Sequence, residues 1–345
     1  MGDKTRGSSG HDPLLGKTFA DRYRVERRLG QGGMGVVYAA RQLSMDRVVA
    51  LKVLSAELGA SDAARARFVR EMRATSKVEH ANTVRVYDFG EDGEGHLFLT
   101  MELLDGRSLQ QELSQRGAFE TGRVLRIGES IARALAAAHG EGIVHRDLKP
   151  ENVMLVDRYG ERDGVKVLDF GIARILDGDT SDAVTRTGSL IGTPLYMAPE
   201  AALGKKVDHR ADLYALGVVL YQMVSGRVPF SDAMPVRVLF MHANDTVPPL
   251  AEVAPGRASP PLEALILGLL AKSPDDRPQS ATEVASVLRA LSDAPTVEGL
   301  DADAVSRLAG DEAAMAKARA LHADPALAVG TVRDEDAVRT PPVTV

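Results

Sequence analysis

The sequence lacks cysteine and tryptophan entirely among its 345 residues. Without cysteine the chain cannot form disulfides, cysteinyl zinc sites or iron–sulfur clusters, and it has no thiol nucleophile. No run reaches the roughly 18 consecutive apolar residues of a membrane span, so the sequence predicts no transmembrane helix. The polar first segment, MGDKTRGSSGHDP, also lacks the apolar core of a signal peptide. We therefore expect a cytoplasmic protein without a membrane partner.

An excess of positive charge is absent as well. The chain has 42 Lys and Arg against 48 Asp and Glu, which gives a formal net charge of −6. This balance disfavours a basic surface for nucleic acid. Ten of the acids and five of the bases lie in residues 292–345. We expect this acidic, Ala-rich tail to be mostly disordered, with a docking or autoinhibitory element as the alternative.

The apolar periodicity divides the chain into three parts. Residues 1–22 are polar and rich in Gly and Ser at their start, so we expect a disordered lead-in. Residues 23–291 carry the periodic apolar segments of a folded region, with strand patterns up to about residue 103 and mainly helical patterns from 104 onward. This order predicts an α+β protein with two lobes and a ligand cleft between them. The strands are expected at 36–40, 48–54, 83–89 and 96–103, and the first helix at 63–78.

A glycine-rich segment stands near the start of the folded region. Residues 30–35 read GQGGMG, and glycines let backbone N–H groups approach a polyphosphate closely. Dinucleotide-binding folds use the same spacing, but there the loop opens a helix. Here the β-branched residues 36–37 continue as a strand, which favours a hairpin over phosphates. A plain glycine turn is the alternative at this point.

Lys52 lies inside the apolar run 48–54. A lysine in such a run is ordinarily an edge or solvent-facing residue. The functional alternative is a cation held beside phosphates. That role requires an anionic partner, for which Glu71 on the following helix is the candidate.

Polar residues interrupt two apolar runs in residues 143–155, IVHRDLKPENVML. Such residues are expensive to hold there unless they act. Asp147 offers a carboxylate for a hydroxyl proton, and Asn152 offers an amide oxygen suited to a hard cation. Asp169 directly follows a second apolar run, and Asn152 and Asp169 together suggest a pair of Mg²⁺ ligands. An exposed charged loop would explain the composition but not this spacing.

The chain resembles the eukaryotic-like (Hanks-type) serine/threonine protein kinases of bacteria. The resemblance covers residues 23–291 and rests on five motifs in the family's order: GQGGMGVV, VALK, HRDLKPEN, DFG and APE. It implies the bilobal protein-kinase fold, with a small β-rich N-lobe at 23–103 and a larger helical C-lobe at 104–291. It also implies an enzyme that transfers the γ-phosphate of ATP to Ser or Thr hydroxyls of proteins.

The resemblance assigns roles residue by residue. Asp147 would orient the substrate hydroxyl and accept its proton, Lys149 would steady the γ-phosphate, and Lys52, paired with Glu71, would contact the α- and β-phosphates. Asn152 and Asp169 would hold Mg²⁺, or Mn²⁺ in its place. The implied ATP contacts are Leu29, Gly30, Gly32, Gly35, Val37, Ala50, Lys52, Met101, Glu102, Leu103, Leu104 and Met154.

Other implied roles concern regulation and support. Thr185 and Thr187 would be autophosphorylated in trans by a second copy, with Arg146 binding the loop phosphate. Thr75, four residues after Glu71, replaces the apolar residue that often links this helix to Phe170, so a weaker link is expected. Three supporting contacts are implied. Glu200 would pair with Arg277, and His145 would pack against Phe170. Asp212 would anchor the catalytic loop, which is the segment around Asp147.

A second class of function stays open beside the kinase. The alternative is a kinase-fold scaffold that binds nucleotide without turnover. Loss of Lys52, Asp147, Asn152 or Asp169 would favour it, and all four are present. The active reading predicts Mg²⁺-ATP and protein substrates as ligands, and no nucleic acid.

Overall fold

A computed structural model describes residues 12–59, 61–158, 161–170 and 194–293. The expected phosphorylation sites Thr185 and Thr187 lie outside the described residues, as does the tail from residue 294 onward. Among the helices of the described part, none combines the length and the apolar character needed to cross a bilayer.

The N-terminal lobe is a six-stranded antiparallel sheet with one helix. The strands occur in the order β1-β2-β3-β4-β6-β5. Helix α1, Asp62–Thr75, connects β4 to β5 and begins at Ser61, whose hydroxyl accepts a hydrogen bond from the Ala64 N–H at 3.2 Å. The strands are β1 (Thr18–Phe19), β2 (Tyr23–Gly32), β3 (Gly35–Gln42), β4 (Arg47–Leu54), β5 (Val86–Glu91) and β6 (Leu97–Glu102).

Strand β4 is buried on both faces because its side chains alternate between two apolar clusters. Val49, Leu51 and Val53 pack in one cluster with aromatic residues of β2 and β6. Ala50 and Leu54 point to the other face and pack with residues of α1. The residue between these two on the second face is Lys52, so a charged side chain is placed inside the lobe, beside the cleft.

The C-terminal lobe is helical, with a small sheet at its border. Strands β7 (Gly106–Ser108), β8 (Val153–Arg158) and β9 (Glu161–Val167) form that sheet in sequence order. The helices of the described part are α2 (Leu109–Arg116), α3 (Thr121–Gly140), α4 (Pro199–Ala202), α5 (Arg210–Ser225), α6 (Pro235–Asn244), α7 (Leu250–Val253), α8 (Pro260–Leu269) and α9 (Ala281–Asp293).

Helix α5 forms the centre of this lobe. Its residues are buried on nearly every side, as expected for a helix that is apolar all round. Helix α3 approaches it closely at Gly128, where an added Cβ would lie 2.6 Å from a methyl carbon of Leu220. The glycine therefore sets the distance between these two helices, and the catalytic loop follows directly from the end of α3.

The expected α+β architecture with two lobes is confirmed. The prediction of a disordered lead-in at residues 1–22 is wrong for residues 12–22, which belong to the folded lobe. Strand β1 pairs with β2, Phe19 is buried, and the Tyr38 hydroxyl donates to the Asp12 carboxylate at 3.0 Å. A two-residue strand has no periodicity of its own, so only its tertiary contacts reveal it.

Candidate active site

The glycine-rich segment forms the hairpin between β2 and β3. Gly32 pairs with Gly35 and Gly30 pairs with Val37 across it. Gly35 has a φ of +140°, and a Cβ there would lie 2.1 Å from the Val53 carbonyl oxygen. Open space surrounds the missing side chains of Gly30 and Gly32, and the preceding Leu29 is exposed. The hairpin backbone is therefore accessible to a phosphate chain.

Apolar side chains share one face of the sheet behind this hairpin. Ala50 pairs with Met101, and Val37 pairs with Lys52, so all four point to the same side. Val37, Leu103 and Leu104 pack on the cluster that contains Ala50 and Met101. Met154 is half-buried on β8 of the other lobe. Val37, Ala50 and Met101 therefore give this face of the sheet an apolar surface of the kind on which a purine ring packs.

Lys52 forms its ion pair with Asp169. The two charged atoms, Nζ and Oδ2, lie 2.7 Å apart, and the Lys52 side chain is only 7% exposed. Asp169 has a φ of +59°, in the left-handed region of backbone conformation. Glu71 is buried on α1, and its ion pair with Arg70 spans 3.9 Å. Within the described residues, no ion pair joins Lys52 to Glu71.

This arrangement differs from the pairing that the sequence suggested. Active protein kinases need the lysine paired with the helix glutamate and the aspartate available to the metal ion. The structure instead places the ammonium group of Lys52 on the Asp169 carboxylate.

The catalytic loop brings three predicted residues together. The Lys149 ammonium donates to both carboxylate oxygens of Asp147, at 2.9 and 2.7 Å. The Asn152 amide nitrogen donates to the Asp147 carbonyl at 2.8 Å and to its carboxylate at 3.2 Å. Because the amide nitrogen faces Asp147, the amide oxygen remains available for another ligand. Asp147 itself is 30% exposed, so its carboxylate can be reached from the cleft.

Asp212 at the start of α5 holds this loop from below. Its two oxygens accept hydrogen bonds from the backbone N–H groups of His145 and Arg146, each at 2.8 Å. Arg146 is thereby held at a φ of +65°. This contact was expected from the sequence and is confirmed.

His139 completes the support, and the sequence analysis did not identify it. Its Nε2 lies 2.8 Å from Asp212 Oδ2, which joins the end of α3 to the same carboxylate. The only sequence signal is its position four residues after the buried Leu135, which places it on the inner face of the helix.

The catalytic loop also contacts the segment around Asp169. The Nε2 atom of His145 lies 2.8 Å from the Leu168 carbonyl oxygen. The expected packing of His145 against Phe170 is also present, with the two ring centroids 4.7 Å apart. The Leu168 N–H donates to the Asn152 carbonyl at 2.8 Å. These contacts place Asn152 and Asp169 on adjoining segments.

The oxygen atoms of Asn152 and Asp169 are suitable ligands for magnesium. Asn152 offers an amide oxygen, and Asp169 offers carboxylate oxygens, which are the hard ligands that Mg²⁺ prefers.

The buried ion pair expected between Glu200 and Arg277 is also present, with Nη2 and Oε2 2.7 Å apart. Within the C-lobe it joins α4 to the segment that precedes α9.

The sequence matches the family described as Protein kinase domain over residues 23–287. It is 48% identical over 282 residues to the serine/threonine-protein kinase Pkn3 of Myxococcus xanthus, covering 81% of this chain and 52% of that protein. It is 39% identical over 281 residues to the probable serine/threonine-protein kinase PknB of Corynebacterium glutamicum, covering 79% of this chain and 43% of the relative.

Solved structures show the same likeness. The crystal structure of the Mycobacterium tuberculosis PknI kinase domain is 33% identical, with a TM-score of 0.62, and the match covers 80% of this chain and 98% of that chain. The chain belongs to the protein kinase domain family, and the two curated relatives described above are named as bacterial serine/threonine protein kinases. It spans about half or less of the length of the curated relatives it matches.

Proposed function

We propose that this protein is a Mg²⁺-ATP-dependent protein serine/threonine kinase. The observation that carries the proposal is the group around Asp147: its carboxylate is fixed by Lys149 and Asn152 and remains accessible from the cleft. The accessible glycine hairpin and the apolar face around Ala50 supply a place for the nucleotide. The names of the bacterial relatives support Ser and Thr as the acceptor residues.

In the proposed reaction, the hydroxyl oxygen of the acceptor attacks the γ-phosphorus of ATP. The bond from that phosphorus to the β,γ-bridging oxygen breaks, ADP leaves, and the hydroxyl proton passes to the Asp147 carboxylate. Lys149 neutralises charge on the transferred group. Asn152 and Asp169 would hold a magnesium ion, which would supply positive charge against the phosphate oxygens. The protein's contribution is positioning and electrostatic stabilisation.

The proposed active state requires a rearrangement at Lys52. Its ammonium must leave the Asp169 carboxylate and pair with Glu71, since Asp169 is needed for the metal ion. Autophosphorylation in trans at Thr185 or Thr187 is the proposed trigger, with Arg146 binding the phosphate. Two features support this role for Arg146: its side chain is exposed, and Asp212 fixes its backbone.

The test uses the full chain after phosphatase treatment. It is incubated with Mg²⁺-ATP and a generic acceptor protein, and phosphate is located by peptide mass spectrometry. We expect phosphoserine or phosphothreonine on the acceptor and phosphate on Thr185 or Thr187, all lost in Asp147→Asn. Nucleotide binding without transfer, also after phosphorylation of the loop by an active relative, would contradict the proposal and favour the scaffold.

A further inference from the structure

An ion pair joins the two lobes beside the proposed adenine pocket. Lys166 on β9 places its Nζ 2.7 Å from Oε1 of Glu102, the last residue of β6. The two side chains are only 14% and 12% exposed, so the pair is largely withdrawn from water. The same ammonium donates to the carbonyl of Thr83 at 3.1 Å. The lysine of one lobe thus contacts two segments of the other.

Glu102 is fixed by more than this one contact. Its Oε1 also accepts a hydrogen bond from the Arg85 N–H at 2.9 Å, and its own N–H donates to the Arg85 carbonyl at 3.0 Å. Both the side chain and the N–H of Glu102 are therefore engaged on the side of Arg85. The ion pair with Lys166 keeps the carboxylate turned in that direction, so it does not compete for a ligand's polar groups.

The position of Lys166 on β9 connects three parts of the proposed nucleotide site. Lys166 pairs with Met154 in the register of β8 and β9, and it precedes Asp169 by three residues. Through its side chain it reaches Glu102. Residues 166–169 therefore connect Glu102 at the end of β6, Met154 on β8 and the proposed metal ligand Asp169.

We propose that Lys166 is a positioning residue for the adenine base, acting through Glu102. By fixing the end of β6, it sets the direction of the backbone groups that would hydrogen-bond the base. It touches neither the phosphates nor the transferred group. This inference rests on the proposed function, because it assumes that the nucleotide binds against residues 102–104.

The proposal is tested by Lys166→Met, which keeps the length of the side chain and removes the charge. The matched control is Lys77→Met, since Lys77 is an exposed lysine just after α1. We expect Lys166→Met to raise KM for ATP and Kd for ADP about tenfold while kcat changes less than twofold. Lys166→Arg, which can still reach the carboxylate, should stay within about threefold of the wild type.

A readout specific to base recognition separates positioning from a structural role. Guanine carries an oxygen where adenine carries an amino group, so correctly directed backbone groups discriminate between ATP and GTP. We expect Lys166→Met to lower the preference for ATP over GTP about fivefold or more, and Glu102→Gln to lower it in the same direction. In the double variant the two effects should be less than additive.

Several results would overturn the inference. They are an unchanged ATP preference in Lys166→Met, or a fall in kcat with unchanged KM and Kd. If Lys166→Met fails to unfold cooperatively, Glu102→Gln, which removes the charge on the other side of the ion pair, is compared with Lys166→Arg, which keeps the pair. Binding of ADP is measured by calorimetry and does not require turnover. A wild type that binds ADP without transferring phosphate would therefore refute the proposed function and still test Lys166.

Discussion

The hydroxyl group of Thr75 joins helix α1 to the segment that carries Asp169. Thr75 is buried, and its Oγ1 donates a hydrogen bond to the Phe170 carbonyl at 3.3 Å. The family resemblance suggested a weaker link here because threonine stands where the family often has an apolar residue. The structure shows a polar link in place of an apolar one, and it acts on the backbone next to Asp169.

We predict that Thr75→Val lowers the free energy of unfolding by about 1 kcal/mol. The side chain keeps its shape, but the buried carbonyl loses its hydrogen-bond donor, which costs on this order. Thr75→Ser keeps the hydroxyl, so it should recover part of the loss relative to Thr75→Ala. Urea unfolding of the four proteins measures the differences. A Thr75→Val variant as stable as the wild type would show that the hydrogen bond contributes nothing net.

Residue types, spacing and the family resemblance predicted which residues lie together better than they predicted how those residues pair. Asp147, Lys149 and Asn152 lie within six positions, so the local chain brings them together, as the structure shows. The partner of Lys52 depends on where α1 lies against β4, a tertiary property that no local pattern contains. His139 and Lys166 were missed for the same reason, because their partners, Asp212 and Glu102, are more than sixty residues away.

The β2–β3 hairpin shows how glycines in one element can differ in purpose. Gly35 is required by the fold, since its φ is +140° and its missing Cβ would clash with the Val53 carbonyl. Gly33, two residues earlier in the tip, has nothing within 4 Å of that position. The motif looks uniform in sequence, but only the structure separates the glycine needed for folding from those that leave room for a ligand.

For this hairpin we predict opposite outcomes for two alanine substitutions. Gly35→Ala should lower the free energy of unfolding by about 2 kcal/mol or more, because backbone strain and a backbone clash occur together. Gly33→Ala should change it by less than about 0.5 kcal/mol. Thermal and denaturant unfolding of both variants checks this. Equal stability of the two would mean that the hairpin relaxes without cost around an added methyl group.

Long elements were predictable and short ones were not. The run expected at 48–54 is strand β4 at Arg47–Leu54, and the helix expected at 63–78 is α1 at Asp62–Thr75. Their periodicity extends over enough residues to be read from sequence. Strands β1 and β7 have two and three residues and exist through pairing with β2 and β8. Their positions depend on the completed fold.

The stability of the whole domain is coupled to pH through His242. This residue is fully buried in the C-lobe, with its Nδ1 2.8 Å from the Tyr214 hydroxyl and its ring 5.1 Å from that of Phe230. Burial, followed by the nearby charge of Lys272, lowers the pKa of His242 to about 4. The folded state therefore keeps a neutral imidazole at pH values where the unfolded chain is already protonated.

We predict that the domain loses about 2 kcal/mol of stability through His242 between pH 7.5 and 5. Below the ordinary pKa of about 6.5 the unfolded state binds a proton that the folded state excludes until about pH 4, so acid favours unfolding. The difference in unfolding free energy between the two pH values should shrink by that amount in His242→Leu. His96→Gln, at a partly exposed histidine, is the control. An identical pH dependence in wild type and His242→Leu would contradict the prediction.

Two of the connections between the lobes in the described part of the chain lie near Glu102. One is the chain passing from β6 to β7, and the other is the contact of residues 82–84 with β9, where the Val84 N–H donates to the Val167 carbonyl at 3.0 Å. A rotation of one lobe about the axis through these two connections would leave both of them in place. Displacement then grows with the distance from that axis. The region around Glu102 lies near this axis, whereas the tip of the glycine hairpin lies farther from it. A small rotation would therefore leave the proposed base pocket nearly intact and would move the proposed phosphate-binding end most.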